Sequence, residues 1–210
     1  YISEGWSAFK KAPMQLIVFT LIVLAVAILI SFFPIVGSIA LLFISPALTA
    51  GYYVGFKKLD ETGIVEIGDF FKAFDDIVQL FLFALVSGLL IGLGMILLVL
   101  PGIWLAIAIL FGYPLVALAK IEFWDAIQLS VRIISKKWFH FLGLLIVLSL
   151  INLLGVLFLG VGLFITIPFS FGVFFFAFKN IFGFFEFEKQ VVIDHWVEER
   201  FYLQIGINKN

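Results

Sequence analysis

The sequence predicts an all-α polytopic membrane protein, with six transmembrane helices paired as three hairpins and short amphipathic helices at the interface. Three observations carry that expectation. The chain is 64% hydrophobic and only 13% charged, with a mean hydropathy of +1.23. Three long stretches contain no Asp, Glu, Lys or Arg, and every Lys and Arg falls in the segments that flank them. Ordinary soluble domains are about half apolar and about a quarter charged, so a water-soluble fold of 210 residues has nowhere to hide this much oil. The 28 Phe fill gaps between helices or face acyl chains equally well and name no ligand. The absence of Cys excludes a disulfide framework, a thiolate metal site and a cysteine nucleophile.

The charge-free stretches are residues 12–56, 77–119 and 138–178. Each is about twice the ~20 residues that one helical crossing takes, which predicts two spans joined by a tight turn. Breakers supply the turns: Phe33-Pro34-Ile35-Val36-Gly37-Ser38, Leu100-Pro101-Gly102, and the series Gly155, Gly160 and Gly162. The six spans are placed at 13–33, 36–56, 77–99, 102–119, 138–157 and 160–179. The first apolar run is too long for the core of a signal peptide and leads directly into a second, so it is read as a mature span. A pair that enters and leaves by the same face is the alternative to full crossing. Period-two alternation of the kind a membrane barrel needs is absent.

Orientation follows from the cations. Lys10 and Lys11 precede the first span, and Lys57, Lys58 and Lys72 lie between the second and third. Lys120, Arg132, Lys136 and Lys137 separate the fourth from the fifth, while Lys179, Lys189, Arg200 and Lys209 follow the sixth. None lies in a hairpin turn, so the positive-inside rule places both termini in the cytoplasm.

The charged segments are themselves patterned. Ile67, Phe70, Phe71, Phe74 and Ile77 recur at helical spacing opposite Glu66, Asp69, Lys72, Asp75 and Asp76. Phe123, Trp124, Ile127, Val131 and Ile134 do the same against Glu122, Asp125, Gln128, Arg132 and Lys136, with a weaker version at Ile2, Trp6 and Phe9. Helices of this type are expected to lie along the membrane surface. Pro46 precedes Phe56-Lys57 at the spacing by which Pro168 precedes Phe178-Lys179, and Pro114 stands nearer to Lys120. With Lys57, Lys120 and Lys179 about 60 residues apart, three units of surface helix plus hairpin are proposed, at 1–58, 64–120 and 121–180. These compose a transmembrane domain over 1–183, followed by a cytoplasmic tail over 184–210 that fits strand or helix.

Few residues in the spans bear chemistry. Asp, Lys or Arg at the bilayer centre costs about 2.5–3.5 kcal/mol, and the cores of the predicted spans hold none. Pro46, Pro114 and Pro168 are candidate kinks, serving close packing or lining a lateral groove. Asn152 is a candidate interhelical polar contact, because an amide in lipid seeks a partner. Lys136, Lys137, Trp138 and His140 form a candidate lipid-headgroup or interface cluster at the mouth of the fifth span. The acids Glu66, Asp69, Asp75 and Asp76 share a helical face and are read as solvated rather than as a cation site. Two isolated histidines, His140 and His195, make no metal site. No nucleophile elbow, P-loop or nucleic-acid motif is present, so no catalytic, cofactor-binding or metal residue is assigned.

Gly5-Trp6-Ser7-Ala8-Phe9-Lys10-Lys11-Ala12-Pro13, and Leu100-Pro101-Gly102-Ile103-Trp104 leading to Pro114-Leu115-Val116-Ala117-Leu118, resemble uncharacterised bacterial six-span proteins. These are the YciC-type inner-membrane proteins and the membrane domain of some glycerophosphodiester phosphodiesterases. In that group the fourth span is followed by an amphipathic segment with Ala and Ser, here Asp125-Ala126-Ile127 to Ser130, and by a basic-aromatic entry, here Lys136-Lys137-Trp138-Phe139. The likeness covers residues 5–183 and implies an architecture and a bacterial inner-membrane location. It carries no catalytic residues, and the soluble phosphodiesterase domain is not in this sequence.

The functional expectation is a non-enzymatic scaffold or accessory subunit of a membrane complex, whose partners are membrane lipids and a protein partner or further copies of itself. A transporter, flippase or channel for lipid-like or uncharged solutes is the alternative, because a charge-free interior does not forbid such cargo.

Overall fold

The computed structural model describes residues 1–157 and 160–182, and within them every regular element is helical. The predicted tail at 184–210, His195 included, lies outside the described residues. Six segments are long and apolar enough to cross a membrane: Pro13–Ser31, Ile35–Thr62, Ile67–Leu97, Val99–Ala119, Trp138–Leu157 and Leu163–Phe182.

Helix α1 (Ile2–Lys11) has its acid Glu4 in the first turn and Lys10 and Lys11 in the last, each on the side the helix dipole favours. It breaks at Ala12, and Pro13 opens α2 (Pro13–Ser31), a position where the missing N–H costs nothing. Helix α3 (Pro34–Thr62) passes Pro46 without interruption. A capping box between Glu66 and Asp69 starts α4 (Ile67–Phe71). A 3-10 turn, Lys72–Asp76, then leads into α5 (Ile77–Leu97). Extended backbone at Leu98 reverses the chain into α6 (Val99–Ala108), and the fourth span resumes as α7 (Gly112–Ala119). Helices α8 (Phe123–Ser135), α9 (Trp138–Leu157) and α10 (Leu163–Phe182) complete the described chain.

Burial divides the spans into two classes. The first, third and fifth have 17%, 17% and 22% of their apolar window buried, against 39%, 56% and 44% for the second, fourth and sixth. The even spans therefore form the interior and the odd ones the perimeter. The three candidate kink prolines lie buried on the interior spans, each opening a buried run: Ala47 and Leu48 after Pro46, Leu115 to Ala117 after Pro114, and Phe169 and Ser170 after Pro168.

Two apolar clusters share α3 and α10. One gathers Phe83, Phe111, Leu115, Ile134, Phe141 and Phe178, the other Leu16, Phe19, Tyr52, Phe56, Leu59 and Phe70. Helices in lipid gain little from hiding apolar surface, so contact rests on close fit and on hydrogen bonds. Both devices are present. The Tyr52 O–H donates to Thr20 Oγ1 at 2.9 Å, and the Thr20 hydroxyl donates to the Leu16 carbonyl at 2.8 Å, joining α2 to α3. The Tyr52 ring stacks on Phe171 of α10 at 4.3 Å.

The amphipathic segments pack against the spans. Phe70 of α4 is fully buried and stacks on Phe19 at 4.4 Å, and its ring occupies the place a Cβ on Gly55 would take. Helix α1 crosses α10 so closely that a Cβ on Gly5 would stand 2.8 Å from the backbone nitrogen of Val173.

Helix α8 starts beside the first turn of α5 and then contacts the fourth span at successively earlier points. The Phe123 N–H donates to Gln79 Oε1 at 3.1 Å beside the Lys120–Asp76 ion pair, Ser130 meets the gap between α6 and α7, and Trp138 just beyond α8 reaches Trp104. It therefore runs antiparallel along that span. The buried stripe of α8 is Ala126, Ile127, Ser130 and Ile134, while Trp124, expected on the apolar face, is 44% exposed. Small residues let the helix approach the gap, and the bulky ring is turned outward.

Candidate functional site

The turn between α8 and α9 consists of Lys136 and Lys137, whose N–H groups donate to Ile133 and Ile134 carbonyls at 3.3 and 2.9 Å. The lysines thus stand at the carboxyl end of α8, where the helix dipole favours cations, while α9 opens at once with Trp138. Together with His140 they line a cleft of about 590 Å³ whose other walls come from distant segments: Trp104 of α6, Ile181 of α10 and the Tyr1 ring. The Trp138 indole N–H donates to the Trp104 carbonyl at 3.2 Å, and the Tyr1 and His140 rings meet edge to face at 6.2 Å. All four residues of the predicted interface cluster are therefore brought together.

The cleft is cationic and aromatic, with no carboxylate among its described lining residues. Lys57, Lys72, Lys120 and Lys179 are each engaged by a carboxylate. Lys136 and Lys137 have no such partner among the described residues. Sequence reasoning missed Trp104 and Ile181, which only tertiary packing brings here. The preference of Trp for membrane interfaces was the available signal for Trp104.

The second feature is the interruption of the fourth span at residues 109–111, directly before Pro114 in the first turn of α7. Pro114 has no N–H to offer the Leu110 carbonyl, and the chain tightens so that the Leu110 and Gly112 N–H groups donate to the Ile107 and Ile109 carbonyls. The Phe111 N–H and the Ala108 carbonyl are left over. Ser130, fully buried on α8, takes both: its Oγ accepts from Phe111 N at 3.1 Å and donates to Ala108 O at 2.8 Å. The Phe111 ring then lies against Phe141, Phe178 and Phe182 at 5.2, 5.7 and 6.1 Å. Of the three candidate kinks, Pro114 follows a break in the helix at 109–111, whereas Pro46 and Pro168 lie inside continuous helices.

Asn152 of α9 reaches α10, its Nδ2 donating to Ser170 Oγ and to the Leu148 carbonyl, both at 2.9 Å. Its Oδ1 and the nearby hydroxyl of Thr166 are buried and make no hydrogen bond among the described residues. Of the four predicted surface acids, Asp69 is held by Lys72 and by the Glu66 N–H, and Asp76 by Lys120. Among the described residues no three His, Cys, Asp or Glu side chains gather as a metal site would require.

No protein-family model, curated protein or solved structure matches this chain.

Proposed function

We propose that this chain is a multi-pass protein of a bacterial inner membrane, of the YciC-type architecture, acting without catalysis as a scaffold or accessory subunit. In this reading the six spans cross as three hairpins built on a three-fold repeat, with both termini cytoplasmic. The observation that carries it is the division of the spans. Prolines and close packing concentrate on the even spans, while the odd spans offer largely uncovered apolar faces to lipid or to partner helices. Two polar pairs within the spans join neighbouring helices, Tyr52 with Thr20 and Asn152 with Ser170. Mild-detergent extraction from native membranes followed by crosslinking is expected to recover a complex larger than one chain. Recovery of a solitary monomer at every crosslinker concentration would remove the basis for a scaffold.

The interrupted fourth span favours a second reading, a transporter or flippase for lipid-like or uncharged solutes. Non-helical backbone at membrane depth is characteristic of substrate paths. In this protein the gap is closed by Ser130 and Phe111, which is why the scaffold reading is preferred. Proteoliposomes are expected to scramble labelled lipid no faster than empty vesicles, and clear acceleration would reverse the preference.

A further inference from the structure

Resting on the membrane reading above, we propose that the cleft at the start of α9 is a binding site for an anionic glycerophospholipid. Its headgroup phosphate sits between Lys136 and Lys137, and an acyl chain lies along α9. The two halves of such a ligand match two features that adjoin. The mouth carries two lysines without carboxylate partners among the described residues, with His140 beside them. It is the amino end of a 20-residue helix, where the dipole favours an anion. Trp138 and Trp104 form the floor, fixed by their hydrogen bond, and amphipathic rings of this kind sit at headgroup level.

From the same mouth an apolar lane continues outward. Phe139 is 81% exposed, and Ile146, Leu150, Leu153 and Leu154 follow at helical spacing, each more than half exposed. A free phosphate would use the mouth alone and leave that lane without purpose. A lipid uses both.

The test uses the full chain in nanodiscs of neutral phosphatidylcholine, titrated with fluorescent phosphatidylglycerol, with glycerol phosphate as the soluble competitor. A lysine near an anionic surface contributes about five-fold in binding, so Lys136→Gln with Lys137→Gln is expected to weaken phosphatidylglycerol by about thirty-fold. Lys10→Gln with Lys11→Gln, which alters two lysines outside the cleft, should leave it unchanged. Competition by glycerol phosphate as strong as by the lipid would overturn the lipid assignment in favour of a free anion. Equal binding by the cleft variant and the unaltered protein would overturn the site itself. Carbodiimide crosslinks from Lys136 or Lys137 to Glu186 or Glu188 that persist at saturating phosphatidylglycerol would assign the cleft to the chain's own tail instead. A photoreactive group in the acyl chain should mark α9, and labelling confined to other helices would count against the lane. Incorporation into neutral nanodiscs reports the membrane reading separately, so its failure is distinguishable from loss of anionic selectivity.

Discussion

Replacing Ser130 by Ala is expected to destabilise the fold by about 2–6 kcal/mol, since each of two buried polar groups left unpaired costs about 1–3 kcal/mol. The hydroxyl has two tasks at once, accepting the Phe111 N–H and donating to the Ala108 carbonyl. Both backbone groups are orphaned by the interruption of the fourth span, and neither can reach water, because Ala108, Phe111 and Ser130 are all fully buried. In a membrane interior the unfolded backbone has no cheap alternative either. Unfolding in mixed detergent micelles, followed by helicity, measures the loss. Ser135→Ala is the comparison, since it removes an exposed bond within one turn of the same helix and should change stability by less than about 0.5 kcal/mol. If Ser130→Ala unfolds at the same denaturant concentration as Ser135→Ala, the hydroxyl does not hold the gap. The variant should also free Phe111 from its three ring partners, so a raised exchange rate at the residue 109–111 amides is the companion signal.

The positions of the spans were legible because they depend on the simplest property in the chain, where charges are absent. A helix that must stay in lipid cannot carry Lys57 or Lys120 through its middle, and the observed helices end near those residues. The interruption at 109–111 was harder to read. Pro46, Pro114 and Pro168 look alike in sequence, yet of these three only Pro114 follows a broken helix, and there Ser130 of another helix supplies a hydroxyl to the freed backbone. The clue lay in α8, where Ala126 and Ser130 stand four positions apart on one face. A small residue and a hydroxyl at that spacing allow a close approach and satisfy what they approach.

Amphipathic periodicity located α4 and α8 but did not say which residues their apolar faces meet. Phe70 lies between Phe19 and Gly55 rather than on open membrane surface, and Ser130 belongs to the buried stripe from which hydropathy alone would exclude it. The cleft was half legible. Its basic-aromatic wall is contiguous at residues 136–140, but Trp104 and Ile181 join it from helices distant in sequence, and no local pattern encodes that meeting.

The second large effect is all-or-none. The chain has no native Cys, so single cysteines placed at Lys72 and Lys137 are expected to react with a membrane-impermeant maleimide only from the cytoplasmic face. Those at Val36 and Leu100, in the first turns of α3 and α6, and at Val161, in the turn before α10, should react only from the other. Contacts between distant segments motivate the first half. Lys179 at the end of α10 pairs with Asp60 at the end of α3 at 2.6 Å, and Asn180 donates to Glu4 of α1 at 3.2 Å. Ile181, next along α10, lines the same cleft as Lys137. These groups mark one end of the bundle, and carrying any of the cations through the bilayer centre would cost about 2.5–3.5 kcal/mol each. Val36, Leu100 and Val161 are 72%, 79% and 64% exposed, so the reagent has access wherever they emerge. Leu100 is the decisive position, because Trp138 contacts Trp104 only a short way along α6 from the reversal at Leu98. Reaction of Leu100→Cys from the Lys137 side would make the second pair re-entrant, and reaction of Lys72→Cys and Lys137→Cys from opposite faces would overturn the three-hairpin topology altogether.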